Sequence, residues 1–377
     1  MRLLNQFSRL LWPSGADAWQ RATRLVAGVG VAAILLLGVS LIADRWDAGG
    51  SEGTSAGKAA NEASTRHGSA PSPEGYARWE TGDVQSLLMI PAVGEDGEVW
   101  VGEQESRTLT LHHPGSSRPQ VFPLPVDGHA HTMGVTVDRA GIVWLAQDGT
   151  HAIARFDPEL QTYISYPTPT PNSSPFGITT DDSGRVWFTE LAAGRIGVFD
   201  PATETFMEYP LPGDRFHPYW LAVATDGRVW FTTLTTPFVG VLDPRSGAVT
   251  MHRVPGLGEQ DGTTGIDVEP DGTVWFGVRG GALGRLDPAS LAIETYRSPQ
   301  DNAYGVAVDA GGRVWLASTH AVVYAFEPST ETFCPVPTGE GAWWLATAGD
   351  GSVWVSESAR GANGLGWISP RRAAACG

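Results

Sequence analysis

Three carboxylates and two imidazoles recur at comparable points of this chain. Glu103, Glu190 and Glu357 each stand three residues after a tryptophan, and His131 and His217 each stand two residues before an inward-facing apolar position. An imidazole can serve as a base near neutral pH, and paired carboxylates such as Glu103 and Glu357 can hold Mg²⁺ or Ca²⁺. Phe176, Tyr219, Tyr304 and Trp343 each lie eleven residues before a tryptophan and would supply the apolar walls of a ligand pocket. Each of these groups has a second reading. The aromatic residues can simply fill a channel. The glutamates can bond loop amides or an arginine such as Arg107 or Arg360. A single histidine in a loop can simply be exposed.

The elements that position these residues come from a repeat. Val-Trp occurs at Val99-Trp100, Val143-Trp144, Val186-Trp187, Val229-Trp230, Val274-Trp275, Val314-Trp315 and Val353-Trp354, with tryptophans 39 to 45 residues apart. An Asp- or Gly-bearing turn precedes each pair, and Asp-Pro or Glu-Pro follows five of them, at Asp157, Asp200, Asp243, Asp287 and Glu327. The unit from Pro175 to Pro212 holds four short apolar runs, Gly177–Thr179, Val186–Thr189, Ile196–Phe199 and Phe206–Tyr209, bounded by Gly, Pro and Asp. Such runs are strands. Four strands in a period of this length make one propeller blade. The spacing therefore predicts an all-β chain, a seven-bladed β-propeller of four-stranded blades, expected to be monomeric because ring closure limits exposed sheet edges.

The seventh unit has only three strands, Leu345–Ala348, Val353–Ser356 and Gly366–Ile368. Tyr76–Glu80 resembles the outer strands and is expected to complete that blade from the N-terminal side. Loops entering the inner strands and leaving the second strands share one face, here called the top. There the residues eleven before and three after each tryptophan are expected to line the mouth of the central channel, with His151, Arg279 and His320 in loops nearby. The turn acids Asp96, Asp138, Asp226, Asp271 and Asp350 share the bottom face and are spread over the ring, as turn residues are. Cys334 and Cys376 fall near one rim. They would pair outside the cytoplasm, or remain two thiols.

Forty-seven glycines and 27 prolines suit a turn-dense fold, and a net charge of −16 argues against a nucleic-acid partner. Lys58 is the only lysine and lies outside the repeats, which excludes Schiff-base chemistry within them. Residues 1–24 form a short arginine-bearing N-terminus. Residues 25–43 carry no charge and are long enough to span a bilayer as a helix. The arginines before that run place the N-terminus in the cytoplasm. Residues 44–75, rich in Gly, Ala and Ser, form a flexible linker with a root-mean-square span of roughly 30 Å, and residues 76–377 form the propeller. The expected location is the cell membrane, by a single uncleaved pass, with the propeller on the periplasmic or extracellular side. A cleaved signal peptide is the rival reading.

The pattern PxGIxxxxxGxVWFTExxxGRIGxxDPxTxxxxEYPLP, best formed at Pro175–Pro212, resembles the streptogramin B lyase (virginiamycin B lyase) family over residues 80–370. That resemblance implies a seven-bladed propeller and, for the family's enzymes, a Mg²⁺-dependent elimination that opens a cyclic depsipeptide at its ester. It also implies catalytic histidines in the slots held here by Tyr304 and Trp343, a glutamate where Ser358 stands, and a tyrosine where Met89 stands. Tyrosine and tryptophan cannot replace an imidazole base near neutral pH. Two functions are therefore expected to compete. One is a binding module for a small molecule or protein at the top face. The other is a metal-dependent lyase with a relocated site, with His131 or His217 as base and Glu103 with Glu357 on Mg²⁺.

Overall fold

The computed structural model describes residues 75–374 except 81–87, 104–106, 115, 117, 127–129 and 360–361. The N-terminal segment, the expected membrane helix, nearly all of the linker and Cys376 lie outside the described residues. Among the described residues no helix is long and apolar enough to cross a membrane. Cys334 is disulfide-bonded.

Seven four-stranded antiparallel sheets make the ring. Blades one to six span residues 92–123, 132–167, 175–210, 218–253, 263–297 and 306–337, each with its strands in chain order from the channel outward. Blade seven takes Ala342–Thr347, Val353–Ala359 and Ala362–Ile368, and Tyr76–Glu80 is its outermost strand, with Tyr76 opposite Ile368. The last blade thus ties the two ends of the propeller chain together. Trp79 stacks on Trp354 at 5.4 Å, and both pack against Val99 and Val101 of blade one.

Six of the seven repeat tryptophans, all but Trp230, share a core cluster with the neighbouring blade. Trp187 packs with Leu221, Val229 and Phe231 of blade four, and Trp144 with Val186 and Phe188 of blade three. Dry aromatic seams of this kind hold the blades together. The acid six residues before the tryptophan does more than turn the chain. Asp138, Asp181 and Asp309 cap turn amides and also accept the indole N–H of Trp144, Trp187 and Trp315, at 2.9, 2.8 and 3.0 Å. Alanine holds that position in blades four and seven, and the buried indole N–H groups of Trp230 and Trp354 have no acceptor there.

The inner strands carry a bulge. In blade three the register shifts between Pro175 and Ile178, and the freed amide of Gly177 donates to Thr189 Oγ1 at 2.8 Å. That hydroxyl donates in turn to Tyr219 O of the next blade at 3.0 Å. Thr232 and Ser356 serve the equivalent amides of Trp220 and Trp344. A Cβ on Gly177 would meet the backbone of blade four at 2.8 Å, so glycine permits this close approach. A bulge re-aims side chains, and here it presents Phe176, Tyr219 and Trp343 at the channel mouth.

Candidate functional site

The top of the channel is closed by an aromatic plug. Phe176 and Tyr219 pack at 4.6 Å between ring centroids, and Tyr304 and Trp343 at 5.0 Å. Trp344 joins the two pairs, 5.8 Å from Tyr219 and 6.2 Å from Tyr304, and Trp220 lies 5.5 Å from Trp344. The four expected aromatic residues are therefore brought together. Phe176, Tyr219, Tyr304 and Trp344 are buried, whereas Trp343 is half-buried. Trp220 and Trp344 were not expected here. Their signal in the sequence is an aromatic residue directly after the mouth position, which the bulge turns into the same cluster.

Arg279 is half-buried beside this plug. Its guanidinium makes one long contact, to Leu234 O at 3.5 Å, and its backbone bridges to Asn302. Burial pushes both the Tyr219 and Tyr304 phenols up, and Tyr304 adds to the effect on Tyr219. The nearby Arg279 charge pulls both back down. His217 sits at the rim with Nδ1 3.1 Å from Leu191 O, so the tautomer with hydrogen on Nδ1 leaves Nε2 as an acceptor. His131, half-buried with φ of 41°, takes Asp148 N on its carbonyl at 3.2 Å.

Glu190 and Glu357 face elsewhere, which corrects the expectation that these two point to the axis. Glu357 accepts from Tyr76 Oη, from Arg78 Nε at 2.9 Å and from Gly339 N at 3.1 Å. Tyr76 and Arg78 belong to the outermost strand of the blade. In blade two Gln147 likewise takes the outer-strand Tyr163 hydroxyl at 2.6 Å. Alternation explains the direction. Residues one and three after the tryptophan share a sheet face, and small residues on the third strand open a hollow there. A Cβ on Gly366 would lie 2.6 Å from Glu357 Oε1. The glutamate–arginine pairing is thus real, with Arg78 as the cation in place of Arg107 or Arg360.

Glu190 shares this orientation without the partner. The outer-strand position that holds Tyr76 in blade seven and Tyr163 in blade two holds Phe206 in blade three. Phe206 packs edge-on to Phe188, which fills the space over Gly197. Glu190 is fully buried, and neither of its oxygens finds a donor. Burial, then the charge of Glu208, pushes its carboxyl up to about 8, with Arg195 opposing. Protonated, Glu190 becomes a donor to Glu208, which itself accepts from Thr170 N at 2.9 Å and from Thr170 Oγ1.

Mg²⁺ does not fit the residues named for it. Glu357 is already held by a phenol, a guanidinium and an amide. Among the described residues no group of three or more His, Cys, Asp or Glu side chains could hold a metal ion.

Taken together, these features define a seven-bladed propeller with an aromatic, donor-bearing mouth on its top face. The chain belongs to the virginiamycin B lyase family, whose model matches residues 83–365. A catalytically inactive virginiamycin B lyase from Staphylococcus aureus, crystallised with quinupristin, is similar at a TM-score of 0.70 and 22% identity, over 78% of this chain and 98% of that one. A streptogramin B lyase structure gives the same score and identity over 80% and 98%. The extracellular domain of a putative hybrid two-component system from B. thetaiotaomicron is similar at 0.62 and 12% identity, over 80% of this chain and 40% of that one. At these identities the likeness is one of fold. A comparison with curated proteins returned no match.

Proposed function

We propose that this chain is a binding propeller of the virginiamycin B lyase family, tethered outside the cytoplasmic membrane, which receives a small molecule or a partner's side chain at its top mouth. One observation carries this reading. The slots that resemblance assigns to the family's catalytic histidines hold Tyr304 and Trp343, packed on one another at 5.0 Å. Burial raises the Tyr304 phenol, taking it further from the range of a base at neutral pH. Trp343 remains half-exposed above the plug, and a partly open indole is a common ligand platform. The similarity to the extracellular domain of a hybrid two-component system from B. thetaiotaomicron supports a place outside the membrane. The uncharged run at residues 25–43 supports the tether.

A crystal of the full chain soaked with a mixture of small aromatic and heteroaromatic compounds tests the site. Density against Trp343 is expected. Occupation confined to the bottom face, where a cleft of about 380 Å³ lies between the turns of blades one to three, would overturn the assignment.

A further inference from the structure

Several polar groups around the mouth have donors to spare, beside the His217 Nε2 acceptor at the rim. The Tyr219 and Tyr304 hydroxyls and the Trp343 indole N–H make no hydrogen bond among the described residues, and Arg279 has only its 3.5 Å contact to Leu234 O. Arg279 forms no ion pair with any described carboxylate, although the protein as a whole carries 41 acidic residues against 25 basic ones. Asp148, which stands at the same repeat position in blade two, accepts from Ser174 Oγ at 2.6 Å, and Glu190 and Glu357, one position earlier in their repeats, are turned outward to Glu208 and to Tyr76 with Arg78. A half-buried guanidinium without a counter-charge is costly unless something supplies the charge. Its planar fork matches a carboxylate in two parallel hydrogen bonds. The Arg279 charge reaches Tyr304, whose ring packs at 5.0 Å on the half-exposed Trp343 indole, an apolar face for a ligand ring.

We infer that the mouth takes a small planar anion of the aromatic carboxylate class, its charged group on Arg279 and its ring against Trp343. This rests on the reading of the mouth as the binding site. It goes further by fixing the ligand's charge and shape, and it disfavours cationic ligands. The two tyrosine hydroxyls supply further donors to the carboxylate or to a ring substituent.

Benzoate and benzamide separate charge from shape, because they differ little except in the anionic group. Binding to the full-length protein can be followed by saturation-transfer NMR or calorimetry. Benzoate is expected to bind about ten- to a hundred-fold more tightly than benzamide, the range a charge-assisted hydrogen bond supplies. Arg279→Gln should erase that preference, Arg279→Lys should keep part of it, and Trp343→Ala should weaken both probes. Thermal melts of each variant show whether it is folded, and Lys offers the conservative replacement if Gln is not tolerated. Equal binding of the two probes, or a preference unchanged in both Arg279 variants, overturns the anion inference while the mouth stands if Trp343→Ala still weakens both. Binding indifferent to Trp343→Ala, or no binding of either probe, overturns the mouth as well.

Discussion

Glu190 should make the propeller lose stability as pH rises, and replacing it with glutamine should abolish that loss. Its carboxyl has an ordinary value of 4.5 and is pushed up to about 8 in the folded protein. Unfolded chains therefore release this proton first, and folding must retain it. The folded state binds more protons between the two values, so stability falls as pH climbs from about 4.5 to about 8 and is level beyond. At about 1.36 kcal/mol per pH unit, the linkage costs about 3 kcal/mol at pH 7 and about 5 kcal/mol above pH 8. Glutamine is nearly isosteric, does not titrate, and can donate to Glu208 as the protonated acid does. Thermal melts of the parent and Glu190→Gln proteins from pH 5 to pH 9.5 should nearly coincide at the acid end. The variant should melt progressively higher toward the alkaline end. Parallel curves across the range would refute the argument, because they would mean that Glu190 ionises alike in both states.

Two further predictions concern the ring. Ala224→Asp should stabilise the protein by about 1 kcal/mol, the net value of a typical hydrogen bond, by giving the buried Trp230 indole an acceptor. The Ala224 turn has the same backbone bonds as the Asp181 turn, and an unchanged urea midpoint would count against the match. Arg78→Met should cost about 3–5 kcal/mol, because it strips the cation from the buried Glu357 carboxylate. The double variant Arg78→Met with Glu357→Gln should recover part of that loss, and denaturant titration of the three proteins checks both statements.

Much of the fold was legible because the period is local. Seven Val-Trp pairs marked the second strands, and the unit expected at Pro175–Pro212 is observed as Pro175–Thr180, Val186–Glu190, Arg195–Asp200 and Thr205–Pro210. Ring closure by Tyr76–Glu80 was legible too, since a three-stranded last blade leaves one edge to cover. The direction of Glu190 and Glu357 differs from the sequence expectation. Distance from the tryptophan places these two at the top, but the face of a strand residue follows parity. Parity sets Glu190 with Phe188 and Glu357 with Val355, away from the tryptophan face. Arg78 escaped notice because its partner lies 279 residues away in sequence, a pairing that only ring closure creates. Trp220 and Trp344 join the plug through a bulge, and a bulge shifts the alternation that a simple strand pattern assumes.

The central claim is that this chain keeps the family's fold without its reaction at the mouth. Incubating the full-length protein with a streptogramin B and Mg²⁺, and separating cyclic substrate from linear product by chromatography, tests it most directly. Elimination adds no water, so the two are isomers of equal mass and retention must distinguish them. A general base contributes about 10²–10⁴-fold, and with Tyr304 and Trp343 in the base slots the predicted result is cyclic substrate unchanged beyond a buffer control. Ring opening that saturates with substrate and disappears in His217→Ala or His131→Ala would contradict the account and establish a relocated lyase site.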